Sequence, residues 1–171
     1  MSARQIQSPR RPGWRLMLSH PAHLLSFGFG SGLAWFMPGT FGTLMGWLIF
    51  VWIDPHLNPK QWSLVIGASF LLGIWACRRT GQTLGVVDHG SIVWDEIVAI
   101  WIVLLVAGGH YSTPLQQLAC VVVFRFFDMV KPPPIRWFDR RFKSAFGVML
   151  DDVVAAFFTL LALAVWANAA G

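Results

Sequence analysis

At 171 residues the chain has room for one domain, and a composition that is 56% hydrophobic, 15% aromatic and 12% charged, with ten tryptophans, excludes an ordinary soluble domain. The net charge of +5 does not mark a nucleic-acid binder, because the basic residues are not interleaved with aromatics along a polar face. Two cysteines, Cys77 and Cys120, form neither a disulfide framework nor a metal-binding spacing and read as apolar packing.

Residues 1–20 are basic and proline-containing, with Trp14, Leu16, Met17 and Leu18 suited to lie on headgroups while the arginines meet anionic lipid. No continuous apolar core leads to a small-residue cleavage site, so this segment is expected to be retained, on the cytoplasmic side. Residues 21–171 then read as a single integral membrane domain. Apolar runs at 38–53, 62–77, 92–107, 114–127 and 153–168 predict helices of roughly 14 to 16 residues, or about 21 to 24 Å against about 30 Å of hydrocarbon. Such short spans cross if their ends sit among headgroups, with Trp47, Trp52, Trp62, Trp75, Trp94, Trp101 and Trp166 as interface anchors. A soluble bundle is disfavoured because 44–53 and 153–165 lack polar helix faces.

Residues 24–37 are apolar but broken by Gly28, Gly30 and Gly32 and ended by Pro38-Gly39-Thr40. With the N-terminus in the cytoplasm, every basic residue except Lys60 falls on or at the edge of that side. A full span at 24–37 would break this asymmetry, so the segment is expected to be re-entrant or interfacial. The expected fold is therefore all-α: a polytopic membrane bundle of about five short transmembrane helices plus that N-terminal segment. Gly28, Gly30 and Gly32 serve either close packing or a backbone amide cradle for phosphate. Pro38-Gly39-Thr40-Phe41-Gly42-Thr43 opens a helix, its hydroxyls acting as caps or its free N–H groups facing an anion.

All acidic residues except Asp54 lie between 88 and 152: Asp88, Asp95, Glu96, Asp128, Asp139, Asp151 and Asp152. A chain this apolar that gathers its carboxylates in one region is expected to hold a cation there, with a hard divalent ion the usual candidate. Asp95-Glu96 and Asp151-Asp152 stand where helices are expected to begin; the macrodipole favours one acid there by about 0.3 to 1 kcal/mol but does not account for adjacent pairs. Asp128 ends a helix, where the dipole disfavours an anion, and Arg125 is placed to pair with it at i,i+3. Pro132-Pro133-Pro134 is expected to run extended and to carry Arg136 and Asp139 along the membrane face. Asp88 and His89 lie in a glycine-containing loop able to fold back on Asp95. Carboxylates beside Lys131 and Arg136 suit phosphate chemistry, in which an activated water attacks a phosphomonoester in line.

VDHGSIVWDE at 87–96, FRFFDMVKPPPIRWFD at 124–139 and GVMLDD at 147–152, together with GFGSGL at 28–33 and PGTFGT at 38–43, resemble the phosphatidylglycerophosphatase A family over roughly residues 20–165. The chain departs from the usual pattern at Lys143-Ser144-Ala145-Phe146, where that family is glycine-rich, and at Ala99, where a glycine is common. The resemblance implies an integral inner-membrane, Mg²⁺-dependent phosphatase that converts phosphatidylglycerophosphate to phosphatidylglycerol, facing the cytoplasm, with bilayer lipids as its partners and its oligomeric state open. It implies an acidic site of Asp88, Asp95, Glu96, Asp128, Asp151 and Asp152. Within it, Asp95, Glu96, Asp128 and Asp152 are expected to be metal ligands, Asp88 or Asp151 the base and Lys131 a phosphate contact. Thr40, Thr43, Arg125, Arg136 and Asp139 are the expected substrate contacts. The competing readings are another phospholipid phosphatase, a divalent-cation transporter and a structural membrane subunit. A CDP-alcohol phosphotransferase is disfavoured because its aspartate spacing is absent.

Overall fold

The computed structural model describes residues 11–133, 136–137 and 144–170, and the described residues contain helices and no strand. Two short helices, α1 (Trp14–Leu18) and α2 (Pro21–Ser26), lead through a 3₁₀ segment, Gly28–Leu33, into five longer helices. These are α3 (Pro38–Ile53), α4 (Pro59–Leu84), α5 (Trp94–Ala107), α6 (Pro114–Val130) and α7 (Ala145–Ala170).

Local chemistry sets most boundaries. Pro38, Pro59 and Pro114 open helices at positions where a missing N–H costs nothing. Asn58 and Thr113 close reciprocal capping boxes with Gln61 and Gln116. Ser144 Oγ accepts from Gly147 N at 3.2 Å and so caps α7 eight residues before the expected start at Val153. The polar ends of α4 and α7 continue the backbone ladder past their apolar runs, making both 26 residues long rather than 14 to 16. Pro59–Leu84 and Ala145–Ala169 are long and apolar enough to cross a membrane, whereas α3, α5 and α6 have 16, 14 and 17 residues.

Helix α5 is the centre. Ile97, Val98, Ala99 and Ile100 are all fully buried, so every face of that turn is covered, by α3, α4, α6 and α7. The outer helices are apolar on their exposed sides, as at Leu48 and Trp52 of α3, Leu64 and Leu71 of α4, Val122 and Phe126 of α6, and Leu161 and Val165 of α7. That pattern suits lipid rather than water around the bundle. Trp62, Trp94 and Trp101 are not interface anchors: they are 1%, 5% and 4% exposed and pack together in the core, the rings of Trp62 and Trp94 tilted and edge-on to Trp101, each within 6 Å of it. Their indole N–H groups all find acceptors, Trp101 donating to Gly46 O at 2.8 Å, Trp94 to Ser69 O at 3.0 Å and Trp62 to Asp54 Oδ1 at 3.0 Å. Trp52, Trp75 and Trp166 remain exposed.

Among the described residues before α3, no helix is long enough to span. Phe29, Gly30 and Met37 have φ of 55°, 107° and 45°, and exposed Trp14, Leu18, Phe29, Trp35 and Phe36 give this segment an apolar outer surface. Gly28 and Gly32 are closely packed, whereas Gly30 adopts a backbone with φ of 107° and a Cβ there would have no contact closer than 3.6 Å. A Cβ on Gly28 would lie 2.8 Å from Val93 Cγ2, and Val93 N donates to Ser26 O at 2.9 Å, which ties this segment to the start of α5. His23, Ser26 and Thr80 form a buried hydrogen-bonded group that fastens α2 to α4, so His23 is structural.

Small residues also let α3 approach α5. A Cβ on Gly42 would meet Val93 Cβ at 2.6 Å, and one on Gly46 would meet Ile100 Cγ2 at 2.7 Å and Ile97 Cα at 3.0 Å. Gly46→Val should therefore lower stability by about 1 to 3 kcal/mol, read as a drop in thermal midpoint in detergent. Gly67→Ala, at an exposed α4 position with open space around it, should leave the midpoint unchanged or raise it.

Candidate active site

The chain reverses at each turn between α3 and α7, so the starts of α3, α5 and α7 and the ends of α4 and α6 gather at one end of the bundle. Asp95 and Glu96 stand in the first turn of α5, as expected, on a helix whose first residues have no side-chain cap. Asp151 and Asp152 do not begin a helix. They lie in the second turn of α7, beyond the reach of its terminal dipole, and are 5% and 3% exposed.

Asp95, Glu96 and Asp152 each offer a carboxylate oxygen, and these three atoms lie within 4.8 Å of one another. Asp128, two residues from the end of α6, belongs beside this group: its charge acts on both Glu96 and Asp152, but its Oδ2 accepts from Arg125 Nη1 at 2.5 Å. The same Nη1 lies 3.4 Å from Glu96 Oε1, so Arg125 bridges α5 and α6 instead of forming a private i,i+3 pair. Lys131, at the left-handed C-cap of α6 with φ 42°, turns back to pair with Asp151 of α7. An L residue in that conformation is strained by about 1 to 2 kcal/mol, which the Lys131–Asp151 ion pair helps to offset.

Gly39 was not marked as a site residue by the sequence. A Cβ there would collide with Glu96 Oε1 and come within 3.0 and 3.1 Å of the Arg125 Nη atoms, so the first turn of α3 forms a wall of the site only because it is bare. PGTFGT pointed to this turn, but nothing in it announced the close approach. Next to it, Thr40 Oγ1 is buried and has no hydrogen-bond partner. Thr43 is different: its hydroxyl donates to Gly39 O at 2.9 Å within its own helix. Arg136 is exposed, and its Nη2 donates to Val130 O at 3.5 Å. Among the described residues after Lys131, Pro133, Arg136 and Trp137 are helical rather than extended, Arg136 N donating to Pro132 O at 3.1 Å; prolines fit the first turn of a helix. Asp139 lies outside the described residues.

Asp88 is exposed in the loop before α5, and its charge reaches Cys77 together with those of Glu96 and Asp152. His89 folds into its own loop, Nδ1 accepting from Ser91 N at 3.1 Å, and burial lowers its pKa from the usual histidine value while Asp88 opposes the shift. Ala99, a departure from the family pattern, is a fully buried residue within α5.

Among the described residues, the buried side-chain atoms without a partner are Thr40 Oγ1, Asp95 Oδ1, Glu96 Oε2, Arg125 Nε and Asp152 Oδ2. All come from this one place. A buried polar atom left unsatisfied costs about 1 to 3 kcal/mol, more when charged, so their concentration fits a site whose remaining partners come from a ligand. Among the described residues, Arg125 pairs with Glu96 and Asp128, and Lys131 with Asp151. Three clustered carboxylate oxygens are the donor set of a hard divalent cation.

Fold and site together define a helical protein with a buried acidic centre at one end of its bundle. The sequence profile of phosphatidylglycerophosphatase A matches residues 24–167. Phosphatidylglycerophosphatase A of Haemophilus influenzae is 44% identical over 148 residues, covering 86% of this chain and 89% of that protein. The Escherichia coli protein of the same name is 44% identical over 142 residues, covering 82% and 80%. A provisionally named phosphatidylinositol-3-phosphatase of Bacteroides thetaiotaomicron is 35% identical over 148 residues, covering 83% and 91%. No solved structure matches the chain. The chain belongs to the phosphatidylglycerophosphatase A family.

Arg125→Met should leave Glu96 and Asp128 buried without their shared cation and destabilise the protein by about 3 to 5 kcal/mol in metal-free buffer. Thermal unfolding in detergent with a chelator checks this, and Arg125→Lys should recover part of the loss.

Proposed function

We propose that this chain is a Mg²⁺-dependent lipid phosphatase that hydrolyses phosphatidylglycerophosphate to phosphatidylglycerol and phosphate. It works at the cytoplasmic face of a bacterial inner membrane, with α3 to α7 as its five spans and residues 1–20 in the cytoplasm. The observation that carries the reading is the set of unpartnered buried oxygens of Asp95, Glu96 and Asp152 beside Arg125, Lys131 and Thr40, in a chain of this family.

Asp95, Glu96 and Asp152 would hold the ion. A bound Mg²⁺ supplies charge neutralisation and polarisation of the phosphoryl group. Arg125 keeps Glu96 and Asp128 in place and offsets their repulsion, which makes Asp128 a neighbour of the ligand set rather than its fourth member. Lys131 approaches the substrate phosphate from the turn after α6, its ammonium shared with Asp151. The Thr40 hydroxyl donates to a phosphate oxygen from the first turn of α3, where the helix dipole also favours an anion. Water attacks phosphorus opposite the glycerol oxygen. Asp151 or Asp88 takes the water proton, the P–O ester bond breaks, and the leaving glycerol oxygen is protonated to give phosphatidylglycerol. Arg136 approaches the headgroup from the segment after Lys131, whereas Thr43 supports the α3 turn through Gly39.

The 35% identity to a protein named for phosphoinositide hydrolysis favours a second reading, in which another phospholipid phosphomonoester is the preferred substrate of the same site. Transport has less support, because the acids gather at one end of the bundle rather than along a path through it.

Purified full-length protein in detergent should release phosphate from phosphatidylglycerophosphate with Mg²⁺ and not with EDTA. Asp95→Asn and Asp152→Asn should each lower the rate by about 10²- to 10³-fold without unfolding the protein. Preference for a different phospholipid phosphate would select the second reading. Well-folded protein that releases no phosphate from any phospholipid, yet carries divalent cations into liposomes, would contradict the phosphatase.

A further inference from the structure

A cleft of about 490 Å³ opens between the last turns of α4, the loop after it and the first turn of α7. Its walls are apolar, with Ile74, Cys77, Val86, Val87, Ala145 and Phe146 among them, and Arg78 and Gln82 stand one turn apart on its α4 side. The acidic centre is adjacent. Cys77 lies within electrostatic range of Glu96 and Asp152, and Phe146 precedes Asp152 on α7 by about 9 Å of helix. One turn deeper, Gly73 brings α4 against Met149 and Trp94: a Cβ there would come within 2.7 to 2.8 Å of both side chains. The cleft is closed at that depth and open towards its rim. Its α4 side continues outward through the exposed apolar residues Leu71, Leu72 and Trp75.

Arg78 is exposed at this rim, and among the described residues no carboxylate lies within salt-bridge reach of it. A cation beside apolar walls, next to a centre that takes a phosphomonoester, fits one kind of occupant: a lipid carrying a second phosphate between its acyl chains and its reacting end.

We infer that the cleft between α4 and α7 is the subsite for the diacylglycerol phosphodiester of the substrate, with Arg78 contacting the phosphodiester and Ile74, Val86 and Phe146 packing on the glycerol and upper acyl chains. The inference rests on the phosphatase reading for the identity of the lipid. It makes Arg78 a specificity-determining residue, because a phosphomonoester lipid without a phosphodiester offers it no partner. Phosphatidylglycerophosphate would thus be selected over phosphatidic acid at the cleft, while the acidic centre treats their terminal phosphates alike.

The test is lipid retention by the full-length protein in detergent, read by native mass spectrometry in titrations with dioleoyl phosphatidylglycerol, which carries the phosphodiester without the scissile phosphate. Wild type should retain one lipid. Arg78→Glu, which reverses the charge, and Ile74→Trp, which fills the cleft, should each weaken retention by about tenfold or more, the scale of one charge-assisted contact, and Arg78→Lys should recover part of it. Equal retention by wild type and both variants, or a dimer that Ile74→Trp dissociates in place of a bound lipid, would overturn the assignment. Wild type that retains the lipid but releases no phosphate from phosphatidylglycerophosphate would overturn the phosphatase reading and leave the cleft standing. Phosphate release with the same KM in wild type and both variants would overturn the cleft alone.

Discussion

Like charges buried together are the constraint on which this structure depends. Asp95 and Glu96 on α5, Asp128 on α6, and Asp151 and Asp152 on α7 converge where water is largely excluded, and a buried charge costs several kcal/mol unless it is paired. Arg125 and Lys131 meet part of that demand, and each does so across helices, Arg125 from α6 to α5 and Lys131 from the end of α6 to α7. The two cations therefore hold the ends of three helices together and leave three carboxylate oxygens facing one another. Buried carboxylate oxygens left facing one another would be a poor way to stabilise a bundle for its own sake, but they suit a site for a cation and then a phosphate.

The rest of the fold brings those ends together. Helix α5 is surrounded, so its first turn, with Asp95 and Glu96, is necessarily internal. Glycines set how closely α3 approaches it: Gly42 and Gly46 meet Val93, Ile97 and Ile100, and Gly39 continues the same approach into the carboxylate and guanidinium. Packing and chemistry thus share one stripe of small residues. The N-terminal helices add support from outside, through the buried His23–Thr80–Ser26 group and the hydrogen bond from Val93 N to Ser26 O.

Much of this was legible in the sequence because each signal was local. Pro38 and Pro114 marked helix starts, apolar runs located five helices, and the crowding of acids between 88 and 152 located the site. Hydrophobic runs nevertheless measure the greasy part of a helix and not its hydrogen-bonded length, so α4 and α7 were expected to be too short and Asp151-Asp152 were expected at a helix start. Trp62 and Trp101 read as interface anchors because aromatic residues near apolar edges usually are, and their burial depends on acceptors supplied by Asp54 and Gly46 elsewhere in the chain. The link from Arg125 to Glu96 spans 29 residues and that from Lys131 to Asp151 spans 20, and no spacing rule joins such pairs. Gly39 was seen as part of a helix start, but the carboxylate it accommodates comes from another helix.

The central claim is that Asp95, Glu96 and Asp152 hold a divalent cation, and counting bound ions tests it most directly. Electron paramagnetic resonance of Mn²⁺ titrated into purified, substrate-free protein should show ions immobilised on the wild type. The signal should be lost in Asp95→Asn and Asp152→Asn, and kept in Asp54→Asn, whose carboxylate accepts from Trp62 in the turn between α3 and α4. Mn²⁺ binding that survives both substitutions in the cluster would contradict the account.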